Sequence, residues 1–444
     1  MTSPTNTPAA TRVTVAAPHT AALDAAAEAI AAGGNAIDAA LAAAAALAVV
    51  YPHQCGLGGD LVALVRRPGV GVTSILSVGA APAAVDVEAL AREDRMPRQG
   101  AHTVTVPGVV AGWRAIDALG SRLGLAAPLR YAAKLAAEGF EVSAGLARAI
   151  EIRREELLAD KGMRGVFGDG DADLAKEGAR IVQPALAQTL SELVADPGAM
   201  YRGRIAASIS GRLRELGGAH TEADFADHEA ELLEPVSSFT GGVRWWVAPP
   251  PTQGVVLLGI LPEALDNDTA ELVAAVHEAA LVRQAELGDP RGGPINVDAM
   301  LNPRNCSDVN ALPRAGRALG DTVAVTAADT DGTVVTLIQS VYQLFGSGIL
   351  DPGTGVVLHN RGSAFSTDPT HPGRIGPGCA RRTRCCLSSR RPTTSCSDSV
   401  ARAGAPSRGS LPRLPANSST RPQIPASRSG GPALLLAPVT SATR

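Results

Sequence analysis

The run TVAVTAAD, Thr322 to Asp329, follows Gly320-Asp321. Glycine-rich turns come after it: Asp331-Gly332, Phe345-Gly346-Ser347-Gly348, Pro352-Gly353-Thr354-Gly355 and Asn360-Arg361-Gly362. A Thr at the head of a buried strand can do more than pack. Cleavage of the Asp321–Thr322 bond would give Thr322 a free α-amine beside its own hydroxyl, a general base carried by the nucleophile itself. The same pattern also fits a strand that begins at Thr simply because Thr favours strands. His53 and Cys55, two residues apart beside glycines, could form a nucleophile pair or part of a metal site. With no further His or Cys nearby, packing or loop roles fit them better. Gly56-Leu57-Gly58-Gly59-Asp60 imitates a phosphate-binding loop but lacks the Lys-Ser/Thr of a P-loop and the full dinucleotide spacing.

The elements that must position these residues alternate between helix and strand. Arg12 to Pro18 reads as a strand and Thr20 to Ala32 as an amphipathic helix stopped by Gly33-Gly34. Ile37 to Val50 reads as a buried Ala-rich helix, too short to span a bilayer and carrying Asp38. Val62 to Arg66 and Val72 to Val78 read as paired strands around Pro68-Gly69. Helices are expected over Val110–Leu119, Leu129–Glu138, Glu151–Leu158, Pro184–Leu193, Ile205–Leu216 and Glu271–Glu286. Thr221 with Asp224 loosely resembles a capping box. Ser237 to Val247 holds strand material, and Pro249 to Gly254 reads as a rigid loop. Gly288 to Gly316, rich in Pro, Gly and Asn, reads as a mobile connection suited to a cleavage region.

At 444 residues the chain exceeds one compact core, so two lobes or one large layered α/β domain are expected. A net charge of −3 argues against a nucleic-acid partner. The polar start, Met1 to Arg12, has no apolar signal core, and no segment calls for a membrane, so a cytoplasmic protein is expected. That average charge hides a break. Residues 1–378 carry 29 basic and 42 acidic side chains; residues 379–444 carry 11 Arg, no Lys and one acid, Asp398. The same stretch holds Cys379, Cys385, Cys386 and Cys396 and no aromatic residue. It reads as a disordered basic arm, as a metal site that adjacent cysteines without His fit poorly, or as a segment translated out of frame.

Taken in order, Ala32-Gly33-Gly34-Asn35-Ala36-Ile37-Asp38-Ala39, Tyr51-Pro52-His53 with Gly56-Leu57-Gly58-Gly59, Val106-Pro107-Gly108, Tyr201-Arg202-Gly203, Pro250-Pro251-Thr252-Gln253-Gly254 and the Thr322–Phe365 block resemble the γ-glutamyltransferase family over roughly residues 12–372. The resemblance implies an N-terminal-nucleophile hydrolase fold, a four-layer αββα sandwich. It also implies self-cleavage at Asp321–Thr322, with a large piece (1–321) and the start of a small one (322–375) staying associated. Thr322 would attack a small-molecule, side-chain-type amide such as a γ-glutamyl compound and pass the acyl group to water or an amine. Ser340 falls where the family places a hydroxyl near the nucleophile. Tyr342, Arg361, Gly346 and Gly348 fall around the expected substrate rim, the glycines shaping the turn and Arg361 able to meet a carboxylate. No metal or organic cofactor is called for, since the base is the nucleophile's own amine.

Departures from the family pattern shift the expected substrate. Ser77 to Pro82 holds no cation where the glutathione-active enzymes carry an Arg for the substrate α-carboxylate. Ala364 stands where a carboxylate is expected, and Tyr342 and Arg361 replace amides. Glutathione is therefore a poor fit, because a buried charged end without a partner loses several kcal/mol. After Pro372 the family continues with Arg-Pro-x-His-Thr and a glycine pair whose amides form the oxyanion hole. Here Gly430-Gly431 sits out of context in the 376–444 tail. The codons of Arg381 to Ser388, read two nucleotides later with GC-rich choices, can spell PHTLLPV, so a frameshift between about Gly373 and Arg381 is one hypothesis. Reading the coding DNA in all three frames sinks it if no frame continues the pattern. A tail that is real would leave a noncatalytic relative lacking the oxyanion hole, since one lost donor costs roughly 10²–10³ in rate.

Overall fold

The computed structural model describes residues 11–93, 95–170, 173–266, 268–305, 322–378 and 388–392. Its strands are β1 (Val13–Ala16), β2 (Asp60–Arg67), β3 (Gly71–Ser77), β4 (Phe140–Glu141), β5 (Arg180–Ile181), β6 (Glu231–Leu233), β7 (Val236–Thr240), β8 (Val243–Val247), β9 (Val323–Asp329), β10 (Val334–Ser340), β11 (Ile349–Asp351), β12 (Val356–Leu358) and β13 (Ser388–Pro392). The main sheet is six-stranded in the order β1-β9-β10-β2-β3-β6, every pair antiparallel. A second sheet runs β13-β8-β7.

The side-chain alternation along β2 explains why its sequence reads as one apolar run. Leu61, Ala63 and Val65 join the large core under the helices α1 (Thr20–Ala31) and α2 (Ala36–Val50), while Val62 and Leu64 point the opposite way, toward Trp246 of the second sheet and Ala248 just beyond it. β8 alternates likewise: Val243, Trp245 and Val247 meet Val255 and Leu258 of the helix Gly254–Asp266, and Trp246 faces the main sheet. The result is helix on sheet on sheet on helix, the expected four-layer αββα sandwich. Each fully buried Leu, Ile or Val adds about 1.5–3 kcal/mol, which is why a strand buried on both faces tolerates no polar face.

The glycine–asparagine motif before α2 is a helix start. Asn35 Oδ1 accepts from the Ile37 and Asp38 amides (2.9 and 3.2 Å), and Asp38 Oδ2 accepts from the Asn35 amide at 2.8 Å, closing a capping box. Asp38 also accepts from Ser121 Oγ and the Leu123 amide (2.7 and 2.8 Å), so its carboxylate is satisfied inside the helix layer. Gln339 on β10 ties the central strand to that layer: it accepts from Trp113 Nε1 (3.1 Å) and donates to Ala44 O (2.8 Å).

Most expected elements lie within a residue or two of where the sequence puts them, and three differences have physical causes. The helix expected over Glu151–Leu158 is two helices, Ala144–Ile152 and Arg154–Ala159, broken where buried Arg153 turns to bond Leu344 O (3.3 Å) and Glu156 (2.9 Å). The helix Gly254–Asp266, unread in the sequence, begins at the end of the Pro-rich loop and keeps Pro262 inside it. The connection from Gly288 contains the helix Val297–Leu301 and 3₁₀ turns at Pro290–Gly292 and Pro303–Asn305. Residues 306–321, including Asp321, lie outside the described residues, as do 379–387 and 393–444 with Gly430-Gly431. Within the 376–444 tail, Ser388–Pro392 pairs antiparallel with β8. Among the described residues no helix is long and apolar enough to cross a membrane.

Candidate functional site

Thr322 is the residue before β9, half-buried at the end of a central strand. In the adjacent strand Gln339 lies opposite Val323, which brings the last residue of β10, Ser340, beside Thr322. The hydroxyls Thr322 Oγ1 and Ser340 Oγ are 3.0 Å apart, and either can donate. Ser340 Oγ also accepts from the Tyr342 amide at 2.9 Å, which fixes the position of Ser340 rather than leaving it to rotate.

The turn after Ser340 is held against its own preference. Tyr342 and Phe345 adopt φ of 78° and 55°, the left-handed region that disfavours side chains and costs of order 1–3 kcal/mol each. Surrounding bonds over-determine it: Val341 N donates to Gln54 O and Phe345 N to His53 O (both 2.9 Å), and Gln343 N donates to Asn360 Oδ1 (3.1 Å). Gly346 is required there, with φ of 56° and a would-be Cβ colliding with Leu358 O. Gly348, φ 74°, continues the turn without such a close neighbour. The Gly58-Gly59 run holds no phosphate cradle: a Cβ on Gly59 would strike Ser340 O, so this glycine lets β2 start directly beneath the site.

Beneath Ser340 lies a buried charge cluster centred on Asp60, its partner across the β10–β2 ladder. Arg361 Nε donates to Asp60 Oδ2 at 2.5 Å, and His359 Nδ1 lies 3.3 Å from the same oxygen. The side chains of all three are 1% exposed or less. His359 Nε2 is in turn 2.8 Å from Thr105 O. Burial penalises the Asp60 carboxylate, yet His359 and Arg361 outweigh that penalty and hold it below the ordinary carboxylate range. The Arg361 guanidinium also lies 4.6 Å from the centre of the Tyr342 ring, a cation–π contact. Arg361 is therefore not the solvated loop residue that the sequence allows: it is buried and ion-paired with Asp60. Asp60 and His359 are the members the sequence reading missed. The acid at the end of Gly58-Gly59-Asp60 and the His before Asn360-Arg361-Gly362 were the available signals.

The remaining reactive types are packed away. Cys55 is buried, donates to Leu47 O at 3.3 Å, and has its thiol pushed up to about 12 by burial. His53 is buried against Tyr51 and Phe345, its pKa lowered to about 3 by burial and then by His19. Neither suits nucleophilic chemistry near neutral pH. Tyr201 of the Tyr-Arg-Gly motif is a strut: its hydroxyl accepts from the Ala111 amide (2.9 Å).

A cavity of about 1330 Å³ opens beside the site. Ala81, Pro82, Arg98, Gln343, Ser363 and Phe365 are among its walls, whereas Thr322 and Ser340 are not; the two regions meet at Gln343, next to Tyr342.

Comparisons with known proteins identify the family and the fold. The family model described as gamma-glutamyltranspeptidase matches residues 22–401. Oxamate amidohydrolase proenzyme of Klebsiella pneumoniae is 37% identical over 390 residues, covering 82% of this chain and 73% of that protein. Glutathione hydrolase-like YwrD proenzyme of Bacillus subtilis is 34% identical, covering 83% and 74%. The crystal structure of cephalosporin acylase from Bacillus halodurans superposes with a TM-score of 0.76 at 29% identity, covering 88% of this chain and 78% of that one. Two of these relatives are named as proenzymes, and the acylase structure shares the N-terminal-nucleophile hydrolase fold. The chain belongs to the gamma-glutamyltranspeptidase family.

Proposed function

We propose that this chain is a self-processing amide hydrolase or acyltransferase whose nucleophile is Thr322, exposed by cleavage after Asp321. The observation that carries the reading is the 3.0 Å contact between Thr322 Oγ1 and Ser340 Oγ at the ends of two central strands, with Ser340 pinned by the Tyr342 amide. Once Thr322 is N-terminal, its α-amine accepts the Oγ1 proton as Oγ1 bonds to the substrate carbonyl carbon. The carbonyl C–N bond then breaks, the departing amine takes the proton, and an ester to Thr322 remains. Water or a second amine attacks that ester, the C–O bond breaks, and Oγ1 regains its proton. Ser340 supports Oγ1 by hydrogen bonding as its charge changes. The substrate is a small amide of the side-chain type rather than glutathione, because the Ser77–Pro82 run offers no cation and Arg361 is committed to Asp60.

A denaturing gel of freshly purified protein tests this. Two fragments are expected, the smaller with Thr322 at its N-terminus, and Thr322→Ala should run as one full-length band without amide turnover. A parent that also stays full-length, indistinguishable from Thr322→Ala, would sink the reading and favour a noncatalytic relative.

A further inference from the structure

Asp60, Ser340, Tyr342 and Arg361 close a circuit of contacts beside Thr322. Asp60 on β2 stands opposite Ser340 on β10 in the antiparallel ladder. Ser340 Oγ accepts from the Tyr342 amide at 2.9 Å. The Arg361 guanidinium lies 4.6 Å from the centre of the Tyr342 ring, and its Nε donates to Asp60 Oδ2 at 2.5 Å, which returns the circuit to β2. The circuit meets Thr322 at one point, the 3.0 Å contact between Ser340 Oγ and Thr322 Oγ1. Its weakest member is the backbone of Tyr342, whose φ of 78° a bulky side chain disfavours. Bonds from Val341 N to Gln54 O and from Gln343 N to Asn360 Oδ1 fix the residues on either side. The guanidinium holds the Tyr342 ring itself, by an attraction that is strongest where water is excluded, and the Arg361 side chain is 1% exposed. Asn360 N donates to Val341 O at 3.2 Å, so the segment carrying Arg361 and the turn carrying Tyr342 are tied together.

We propose that Arg361, anchored by Asp60, is a positioning residue that acts through Tyr342 to hold Ser340 Oγ against Thr322. It then sets the rate of bond making at Thr322 rather than the binding of substrate. The kinetic part rests on the reading of Thr322 as nucleophile, whereas the link from Arg361 to Ser340 belongs to the uncut chain as well. The circuit also accounts for an aromatic residue at a left-handed position: glycine would suit that backbone but would give the guanidinium nothing to grip.

Hydrogen exchange at the amide of residue 342, measured on the full chain, reads the hold on Ser340 Oγ whether or not the chain is cut. Tyr342→Leu and Arg361→Met should speed exchange there roughly fivefold or more, and Tyr342→Phe, which keeps a ring face, should stay near the parent. Tyr342→Leu leaves the Asp60–Arg361 pair in place, so its β10 amides should exchange as in the parent, and it keeps the test open if Arg361→Met fails to fold. In a cleaved chain, Tyr342→Leu and Arg361→Met should each lower kcat for amide turnover roughly threefold to fivefold with KM unchanged. Neither should lower it further in a Ser340→Ala background, where a merely structural role would cost the same factor again. Parent-like exchange at residue 342 in Tyr342→Leu, or rate losses that multiply in full with that of Ser340→Ala, overturns the proposal. Failure of the Thr322 reading shows separately, as an uncut parent on the denaturing gel, and the exchange at residue 342 then still decides whether Arg361 acts on Ser340.

Discussion

Replacing Arg361 by Met strips Asp60 of its shortest contact, the 2.5 Å bond from Nε, while filling most of the same volume. Asp60 Oδ2 then keeps only His359, 3.3 Å away, inside a site whose side chains are 1% exposed or less. Breaking one half of a buried ion pair costs about 3–5 kcal/mol, because the surviving charge has neither water nor partner. The Asp60→Leu change should cost a similar amount by taking from buried Arg361 its carboxylate. The double variant, Asp60→Leu with Arg361→Met, removes both charges and should recover most of the loss, since apolar replacement of a buried pair is often close to neutral. Urea unfolding at pH 7.5 reads this directly. With a slope of about 3 kcal/mol per molar, each single variant should move the midpoint down by about 1 M or more, and the double variant by much less. The interaction energy from the cycle should exceed about 2 kcal/mol. Single variants that unfold with the parent, or a double variant whose loss equals the sum of the two, would refute the pairing as the reason Arg361 is there. A substrate-binding Arg361 would show the opposite pattern, unchanged stability with a raised KM.

Three further outcomes follow from the same geometry. Ser340→Ala should slow both self-cleavage and amide turnover by roughly fivefold, the worth of one neutral hydrogen bond, read as fragment appearance on gels and as kcat; unchanged rates would remove Ser340 from the site. Gly346→Ala should lower stability by more than about 1 kcal/mol in thermal melts, through left-handed backbone strain and collision with Leu358 O; an unshifted melt would contradict the turn geometry. Stability should also fall on acidification. Burial lowers the His220 and His228 pKa values to about 4 and that of His53 to about 3, so the unfolded chain takes up protons first as pH drops below the ordinary 6.5. Their contribution is complete above pH 6.5 and is lost on the way down to about 4 for His220 and His228 and about 3 for His53, roughly 2 kcal/mol per histidine by pH 5; urea midpoints identical at pH 7.5 and 5 would contradict it.

The elements that carry the site were legible because their signals are local. The Ala-rich run from Ile37 to Val50 announces a buried helix, Val62 to Arg66 and Val72 to Val78 announce paired strands, and Thr322 heads a strand with glycine turns behind it. What escaped depends on partners distant in the chain. Asp60 and Arg361 are 301 positions apart, and nothing near either predicts that one neutralises the other. The helix Gly254–Asp266 escaped because two proline signals outweighed its apolar face, which only the second sheet gives a reason to exist. Arg98 and Gln343 likewise meet only once Asn360 binds both.

The strand order of the main sheet bears on the chain's history as well as its shape. β9 and β10, which follow Thr322, lie side by side between β1 and β2, which come from the first part of the chain. A cut ahead of Thr322 would leave two hydrogen-bonded seams intact and open no edge at the middle of the sheet. The intact chain reaches this arrangement with its segments tethered, whereas separated pieces would have to find each other and insert a hairpin into a gap between two strands. Refolding after full denaturation is then a concentration-dependent, two-body event for the cut form and a one-body event for the precursor. The time at which the bond is cut, after folding rather than before it, would decide whether a lost structure can be regained.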